Sequence, residues 1–301
     1  MSFPFRRRDL RRLAAVLGLC ACSAVHAQDG LHLVPGSGKL LLTGGVSSID
    51  GAAGGGLVPW AVTGSYATDG EVGATAHLTR IVTQDYALTG YGAAVSYRDR
   101  VEVSLARQEF NAGAVVPGST LRLDIVGVKW RVAGDAVLDS DRLMPQIALG
   151  AEWKHLNPGA AVGGVLDGAG AKRNGADFYA SATKLFLAQG ILVNGTLRAT
   201  RANQNGLLGF GSADKNRYSL EPEASLALLL RRNVAVGFEY RAKPDNLAFA
   251  GSAFREDDWK DLFVAWAPNK HFSLTAAWAD LGNIVGHERQ RALYLSTQLA
   301  Y

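Results

Sequence analysis

The chain has 301 residues, of which 48% are hydrophobic and 19% are charged, and its mean hydropathy is +0.04. This balance is too polar for a helical membrane protein, whereas 35 glycines are many for an ordinary globular enzyme. Residues 1–27 hold five of the 31 basic residues and one of the 27 acidic ones, so the rest is formally neutral and lacks the basic excess of nucleic-acid-binding proteins.

Residues 1–27 have the features of a secretory signal peptide. An Arg-rich start precedes an apolar run at 13–19, and the compact residues Val25 and Ala27, three and one before the predicted cut, form a cleavage site. The run is shorter than the roughly 20 residues that span a bilayer. Two alternatives stay open: 19–22 is loosely similar to a lipobox that would acylate Cys22, and 7–10 is faintly similar to a twin-arginine signal. Both cysteines lie in this leader, so residues 28–301 have no thiol for disulfides, catalysis or metal binding.

After residue 27 the chain alternates apolar and polar residues with period two, which is the signature of a β-strand. The clearest examples are 101–106, 145–154, 218–230, 233–241 and 271–279. Several of these segments run for about ten residues, longer than the roughly five or six of a soluble strand. Membrane-spanning strands are therefore favoured. The main alternative is a soluble periplasmic β-protein, which would have to cover the apolar faces with a second sheet.

The connections between these segments alternate between short and long. Short ones lie at 98–99, 188–190, 231–232 and 268–270, and long ones, rich in Gly, Asn and charge, lie at 157–175, 202–215, 242–258 and 280–290. Outer-membrane barrels have short periplasmic turns and long outer loops. We therefore predict an all-β fold over residues 28–301: a transmembrane antiparallel up-and-down β-barrel of about 14 strands (12 to 16), with strands counted from Lys39 onward.

The last segment also has the form of a barrel strand, since apolar residues alternate from Leu293 to the terminal aromatic residue. It is similar to the C-terminal signal that the barrel-assembly machinery recognises in its clients. We predict Leu295, Leu299 and Tyr301 to be the residues of this assembly signal. The expected location is the outer membrane of the cell, and the expected partners are outer-membrane lipid and the assembly machinery, with no nucleic acid.

Two stretches carry a resemblance to a known family. One covers 38–47 and continues through 50–61, and the other covers 127–137 with 145–148 behind it. Both resemble an uncharacterised family of Gram-negative proteins, domain of unknown function 3034, and the similarity extends over nearly all of the chain after residue 27. The resemblance implies an outer-membrane β-barrel. It implies no activity and no catalytic residues, because none is established for the family.

Ten charged residues fall opposite apolar neighbours on the predicted strands. A Lys or Arg in mid-membrane on the lipid face would cost about 2–4 kcal/mol, so these side chains are expected to point into the lumen. The predicted pore-lining residues are Glu102, Asp124, Glu152, Lys154, Arg198, Glu221, Glu223, Glu239, Arg241 and Arg291. They would either select solutes by charge in an open pore or pair with one another and fill the barrel.

The remaining candidate motifs favour structural roles. The glycines at 51–56 precede a strand-like segment without the Lys of a phosphate loop, so they predict a flexible loop or a tight barrel corner. Asp135, Asp139 and Asp141 predict a turn, because they lack the Gly and Glu of a calcium loop. The histidines after residue 27 lie in no nucleophile or zinc motif. We therefore expect no enzyme, metal or cofactor.

Aromatic residues at the strand ends predict the membrane boundaries. Tyr218, Tyr240 and Trp278 should form an outer girdle on the apolar face, and Trp266 and Phe272 an inner one. The predicted function is passive diffusion of small hydrophilic solutes. The alternatives are a closed barrel with a structural or surface-binding role, and a lipid-modifying enzyme.

Overall fold

The computed structural model describes residues 38–68, 70–137 and 143–301, so the predicted signal peptide, Asp139 and Asp141 lie outside the described residues. Two short strands come first, β1 (Val46–Ser47) and β2 (Ala53–Gly54). Twelve strands then form a closed barrel within this part of the chain. They are β3 (Val72–Val82), β4 (Ala87–Tyr97), β5 (Val101–Asn111), β6 (Thr120–Ala133), β7 (Gln146–Asn157), β8 (Asn174–Phe186), β9 (Ile191–Thr200), β10 (Ser219–Arg231), β11 (Val234–Arg241), β12 (Trp259–Asn269), β13 (Phe272–Asp280) and β14 (Arg291–Ala300).

All neighbouring strands of the barrel are antiparallel and pair in chain order. The barrel closes where β14 pairs with β3, with Leu293 opposite Val82. At the last rung, Tyr301 and Ala74 exchange two backbone hydrogen bonds of 2.8 Å. Closure leaves no free sheet edge, which is the condition for a sheet to span a bilayer.

The strand count is lower than the 14 expected, at the lower limit of the predicted range. The difference arises before β3, because the predicted strands were counted from Lys39 onward. In the structure, residues 42–67 lie inside the barrel, and nearly all of them are buried. They form a hairpin, the plug, in which β1 pairs with β2. Their apolar side chains are buried by the barrel wall and not by lipid.

The outer surface of the barrel is an apolar belt. Leu78, Leu105, Leu226 and Leu262 are each more than half exposed on outward-facing positions of four different strands. Such a continuous apolar surface needs a lipid environment, because soluble monomers rarely expose apolar patches of this extent. No helix in the described part of the chain is long and apolar enough to cross a membrane.

Aromatic residues flank this belt as predicted. Tyr218, Tyr240 and Trp278 lie on the outer face near one end of the barrel, and Trp266 and Phe272 lie on the outer face near the other end. Rings with an apolar body and a polar edge are stable at the membrane–water boundary. The two sets therefore mark the boundaries of the belt.

The connections differ between the two ends of the barrel. One end, the loop end, holds the connections 83–86, 112–119, 158–173, 201–218, 242–258 and 281–290, and the third of these contains the helix α1 (Gly159–Gly168). The other end, the turn end, holds 98–100, 134–145, 187–190, 232–233 and 270–271, together with the start of β3 and the end of β14. Short turns face the periplasm in outer-membrane barrels, so we expect the loop end to face outward from the cell.

Two segments enter the lumen from opposite ends. The plug has both of its ends at the turn end, where Lys39 forms a 2.7 Å ion pair with Asp99 of the β4–β5 turn and Ser65 Oγ lies 3.0 Å from Ser96 Oγ. From the loop end, residues 202–212 of the β9–β10 connection fold inward and are buried; we call them the mouth loop. The plug and the mouth loop meet inside the barrel.

Candidate functional site in the barrel lumen

The barrel wall binds the backbone of the plug through charged side chains. Glu102 of β5 accepts hydrogen bonds from the backbone N–H groups of Ala53 at 2.9 Å and Gly64 at 2.6 Å. Lys129 of β6 donates to the carbonyl groups of Ala53 at 2.6 Å and Val62 at 2.9 Å, and it lies 3.3 Å from Glu102. A buried ion pair of the wall thus satisfies polar backbone groups that the short β1–β2 hairpin leaves unpaired.

The glycines at 51–56 serve a close approach, and the predicted flexible loop or barrel corner is wrong. Glu239 of β11 accepts hydrogen bonds from Leu57 N at 2.7 Å and from Ser225 Oγ at 2.8 Å. A Cβ atom on Gly55 would lie 1.9 Å from Glu239 Oε1, so no other residue fits without displacing one of them. The lack of a side chain at this position lets the plug backbone reach the carboxylate.

Asp50, at the tip of the plug, is held by side chains from five different elements. They are Gln108 of β5 (3.4 Å), Lys154 of β7 (3.3 Å), Arg198 of β9 (3.9 Å), Asn205 of the mouth loop (2.9 Å) and Arg241 of β11 (2.7 Å). We call these five side chains the Asp50 cradle. Burial by itself raises the pKa of Asp50, but the cations of Arg241, Lys154 and Arg198 outweigh it and hold the pKa well below its ordinary value. Asp50 is therefore a carboxylate at every physiological pH.

The cations of the cradle also pair with carboxylates of the wall. Arg198 lies 2.8 Å from Glu152 and 2.5 Å from Glu223, and Lys154 lies 2.8 Å from Asp177. These pairs are buried and join the neighbouring strands β7, β8, β9 and β10 along the inner face of the wall. Each cation of the Asp50 cradle therefore pairs with a carboxylate of the wall as well as with Asp50, so its charge would remain paired without Asp50.

The mouth loop is held by a second polar cluster. Gln204 N donates to both carboxylate oxygens of Glu256, at 2.9 and 2.8 Å, and Lys243 Nζ donates to Gln204 Oε1 at 2.9 Å. Gln204 and Asn205 both have left-handed backbone conformations, with φ of 43° and 60°. Burial raises the pKa of Glu256 from 4.5 to about 7. The tip of the mouth loop is therefore a strained turn whose anchor titrates near neutral pH.

Eight of the ten predicted pore-lining side chains lie on inward-facing positions of the wall: Glu102, Glu152, Lys154, Arg198, Glu221, Glu223, Glu239 and Arg241. Seven of them are buried against the plug or against one another. Glu221 is half-buried near the loop end and makes no ion pair or hydrogen bond with the described residues.

The inward orientation is wrong for the other two residues. Asp124 points outward from the half of β6 nearest the loop end, where it pairs with Arg107 at 2.5 Å. Arg291 begins β14 at the same end and lies over the outward ring of Trp278, 5.8 Å from its centroid. The cost of a charge on the lipid face falls to about 0–1 kcal/mol near the membrane boundary, so the rule that placed these residues inside does not apply there.

Several residues of the site were missed, among them Lys129 and Asp177 on the wall and Asp50 and Asn205 inside the lumen. Asp177 has the inward phase of β8, and extending the alternation rule to that strand would have found it. Asp50 and Asn205 lie in glycine-rich segments without periodicity, which carry no signal for a place in the lumen. The assembly-signal residues lie at the surface: Leu295, Leu299 and Tyr301 are exposed on the outer face or at the end of β14.

A closed antiparallel barrel with an apolar belt, aromatic boundaries and a polar lumen defines an outer-membrane β-barrel protein. The chain belongs to the family described as "Protein of unknown function (DUF3034)", whose model matches residues 43–298. That match extends from residue 43 of the plug to residue 298 in β14, the last strand of the wall. No curated protein matches the sequence.

Solved structures are similar to this chain at the level of fold. The KdgM porin has a TM-score of 0.50 at 9% identity, covering 75% of this chain and 99% of the porin. The NanC porin has a TM-score of 0.49 at 7% identity, with 75% and 98% covered. Outer membrane phospholipase A from Escherichia coli has a TM-score of 0.42 at 9% identity, with 75% and 92% covered. At 9% identity the similarity to the KdgM porin supports the barrel fold alone and carries no function.

Proposed function

We propose that this protein is an outer-membrane channel for small hydrophilic solutes that the plug closes and opens. The observation that carries the proposal is a polar, charged lumen wall holding a separate segment of chain. A barrel with only a structural role needs no plug that is bound mainly through side chains of the wall. Twelve strands lie between the eight whose interior side chains fill and the sixteen that leave an aqueous channel, so the plug decides whether this lumen is open.

The plug has a path out of the barrel. Both of its ends lie at the turn end, so the hairpin can withdraw toward that end without threading a loop through the lumen. Its contacts with Glu102, Lys129 and Glu239 are hydrogen bonds that water can replace. After withdrawal the wall keeps its own ion pairs between Arg198 and Glu152 and between Lys154 and Asp177, which would line a hydrated passage.

A closed barrel is the second candidate, and the apolar packing of the plug favours it. Leu57, Val58 and Trp60 are each no more than 5% exposed. Release of the plug would expose these three apolar side chains to water, which costs about 1.5–3 kcal/mol of free energy for each. This cost keeps the plug in place for most of the time. The channel is therefore expected to open rarely in the absence of a perturbation or a ligand.

We propose no catalytic role for the lumen. A serine or acyl-transfer mechanism needs a histidine within reach of the nucleophile. The hydrogen-bond partners of His155 and His271 are Asn174 and a backbone carbonyl, and His287 pairs with Asp85. His77 is buried without a hydrogen-bond partner within the described residues.

Planar-bilayer recordings of the protein and of two glycine variants test the channel. Gly55→Ala places a Cβ atom 1.9 Å from Glu239 Oε1, so the plug backbone or the Glu239 carboxylate must move and the hydrogen bond from Leu57 N that helps to hold the plug is weakened or lost. Gly195→Ala is the matched control, because its Cβ would point into open space on the outer face of β9. We expect rare stepwise openings for the wild-type protein and for Gly195→Ala, and a much larger open fraction for Gly55→Ala.

The recordings separate the two candidates once folding is verified. Heat-modifiable migration on gels identifies the intact barrel in all three proteins. Folded Gly55→Ala that never conducts would overturn the channel and support the closed barrel. Equal conductance of all three proteins would overturn the role of the plug as a gate.

A further inference from the structure

The Asp50 cradle binds a carboxylate group, and in this structure that group is the side chain of Asp50 itself. Four side chains donate hydrogen bonds to the two oxygens of Asp50, and Arg198 adds its charge at 3.9 Å. The shortest contacts come from Arg241 and Asn205, one to each oxygen. Charge-assisted donors of this kind on both oxygens are how proteins recognise free carboxylates.

Withdrawal of the plug leaves part of this cradle without partners. Arg241 Nη1 loses both Asp50 Oδ2 at 2.7 Å and the carbonyl of Leu57 at 3.0 Å. Asn205 Nδ2 loses Asp50 Oδ1 at 2.9 Å. Lys154 keeps Asp177, and Arg198 keeps Glu152 and Glu223. Arg241 also keeps a wall partner, because its Nε atom lies 3.3 Å from Glu223, so it is its Nη1 group that is left without an acceptor. The vacated position is therefore a specific pair of donors beside two cations, and not a general excess of positive charge.

The charges of the wall allow one more anion in this position. Without Asp50, the three cations of the cradle face three wall carboxylates, Glu152, Asp177 and Glu223. The closed state adds the carboxylate of Asp50 as a fourth. An incoming carboxylate would restore the arrangement of the closed state, so its charge is already accommodated by the wall.

We propose that Asp50 stands in for the solute, and that the open channel binds small monocarboxylates in the Asp50 cradle. This inference rests on the proposed channel and names its solute class. Because plug and solute compete for one site, a carboxylate stabilises the open state and thereby releases the plug. Asn205 belongs to the mouth loop and donates a hydrogen bond to Asp50 in the closed state. A bound carboxylate would accept the same hydrogen bond and so hold the mouth loop in place.

Release of the plug can be measured by the reactivity of a cysteine in it. Ser48 is fully buried, two residues before Asp50, and its hydroxyl has no hydrogen-bond partner within the described residues, so Ser48→Cys is a mild change. The only natural cysteines, Cys20 and Cys22, lie in the predicted signal peptide. A maleimide would react with the cysteine introduced at position 48 only when the plug has moved out of the lumen and exposed it. Ser252→Cys lies on an exposed loop, so its labelling rate is the reference for a cysteine that the barrel does not shield from the maleimide.

The probes are sodium lactate, neutral lactamide of nearly the same size, and sodium chloride at the same ionic strength. We expect lactate to raise the labelling rate of Ser48→Cys about tenfold at ten times its dissociation constant. Lactamide and chloride should leave the rate unchanged. Adding Arg241→Gln should remove most of the lactate effect, because loss of one charged hydrogen bond weakens binding about tenfold or more.

Lys129→Gln is the matched control for a loosened plug. Lys129 contacts plug carbonyls but not Asp50, so this variant should raise labelling in every solution and still respond to lactate. Equal labelling in lactate and lactamide, while Gly55→Ala conducts, would overturn the carboxylate site and leave the channel intact. A response to lactate that survives Arg241→Gln unchanged would also overturn it. Absence of conductance in every folded variant would remove the channel and this inference together.

Discussion

Asp50→Asn is the substitution that most directly perturbs the closed state. It keeps the shape of the side chain and its bond to Asn205 or Arg241, but it removes the charge from the Asp50 cradle. The contact most affected is the 2.7 Å hydrogen bond from Arg241, with Lys154 at 3.3 Å second. A hydrogen bond to a charged group contributes about 1.5–3 kcal/mol, which sets the scale of the loss.

The expected loss lies near the lower end of that scale. In the wild type four carboxylates surround three cations, and the variant leaves three against three, so the loss of the Arg241 hydrogen bond is partly offset because the excess negative charge is removed. With about 1.5 kcal/mol lost, the ratio of released to seated plug rises about tenfold. The apolar packing of the plug is unchanged, so the variant should still fold and keep the plug seated for most of the time.

Labelling of Ser48→Cys with a maleimide measures this ratio when release is fast relative to the chemical reaction. We expect the rate to rise about tenfold in the Asp50→Asn background, with a matching rise in open fraction in bilayers. Asp124→Asn is the control, since its pair with Arg107 is exposed on the outer face and contributes about 0–1 kcal/mol. Equal labelling rates in both variants would refute the view that the Asp50 cradle holds the plug.

Three further predictions concern orientation, assembly and pH. A cysteine at Gly168, in the loop-end helix, should react with an impermeant maleimide on whole cells, and labelling only after lysis would reverse the orientation. Tyr301→Asp should lower the amount of heat-modifiable barrel in the outer membrane, whereas unchanged levels would remove Tyr301 from the assembly signal. The pKa of Glu256 is raised from 4.5 to about 7, so the folded mouth loop binds a proton that the unfolded loop has lost. Its stability should therefore fall as pH rises from about 4.5 to 7, measured by protease cleavage of the loop, and Glu256→Gln should remove that dependence.

The sequence predicted the wall of the barrel because each wall residue faces one of two environments, the lipid or the lumen. Along a strand, side chains alternate between lipid and lumen, so the pattern of Leu226 and Leu228 against Glu223 and Ser225 predicts both faces of β10. The same rule oriented eight of the ten charged residues correctly. It was wrong for Asp124 and Arg291 because the penalty for charge vanishes near the membrane boundary, and distance from that boundary is a property of the assembled barrel.

The sequence could not predict what fills the lumen. An apolar, glycine-rich segment such as 42–67 has the composition of a wall strand, and only the closed barrel decides that its partners are Glu102, Lys129 and Glu239. The contact of Asp50 with Asn205 joins residues 155 positions apart that share no pattern. Local alternation thus determined the wall, because lipid and lumen act on each residue separately. The plug and its carboxylate site were decided by tertiary structure alone, because they depend on which side chains the closure of twelve strands brings together.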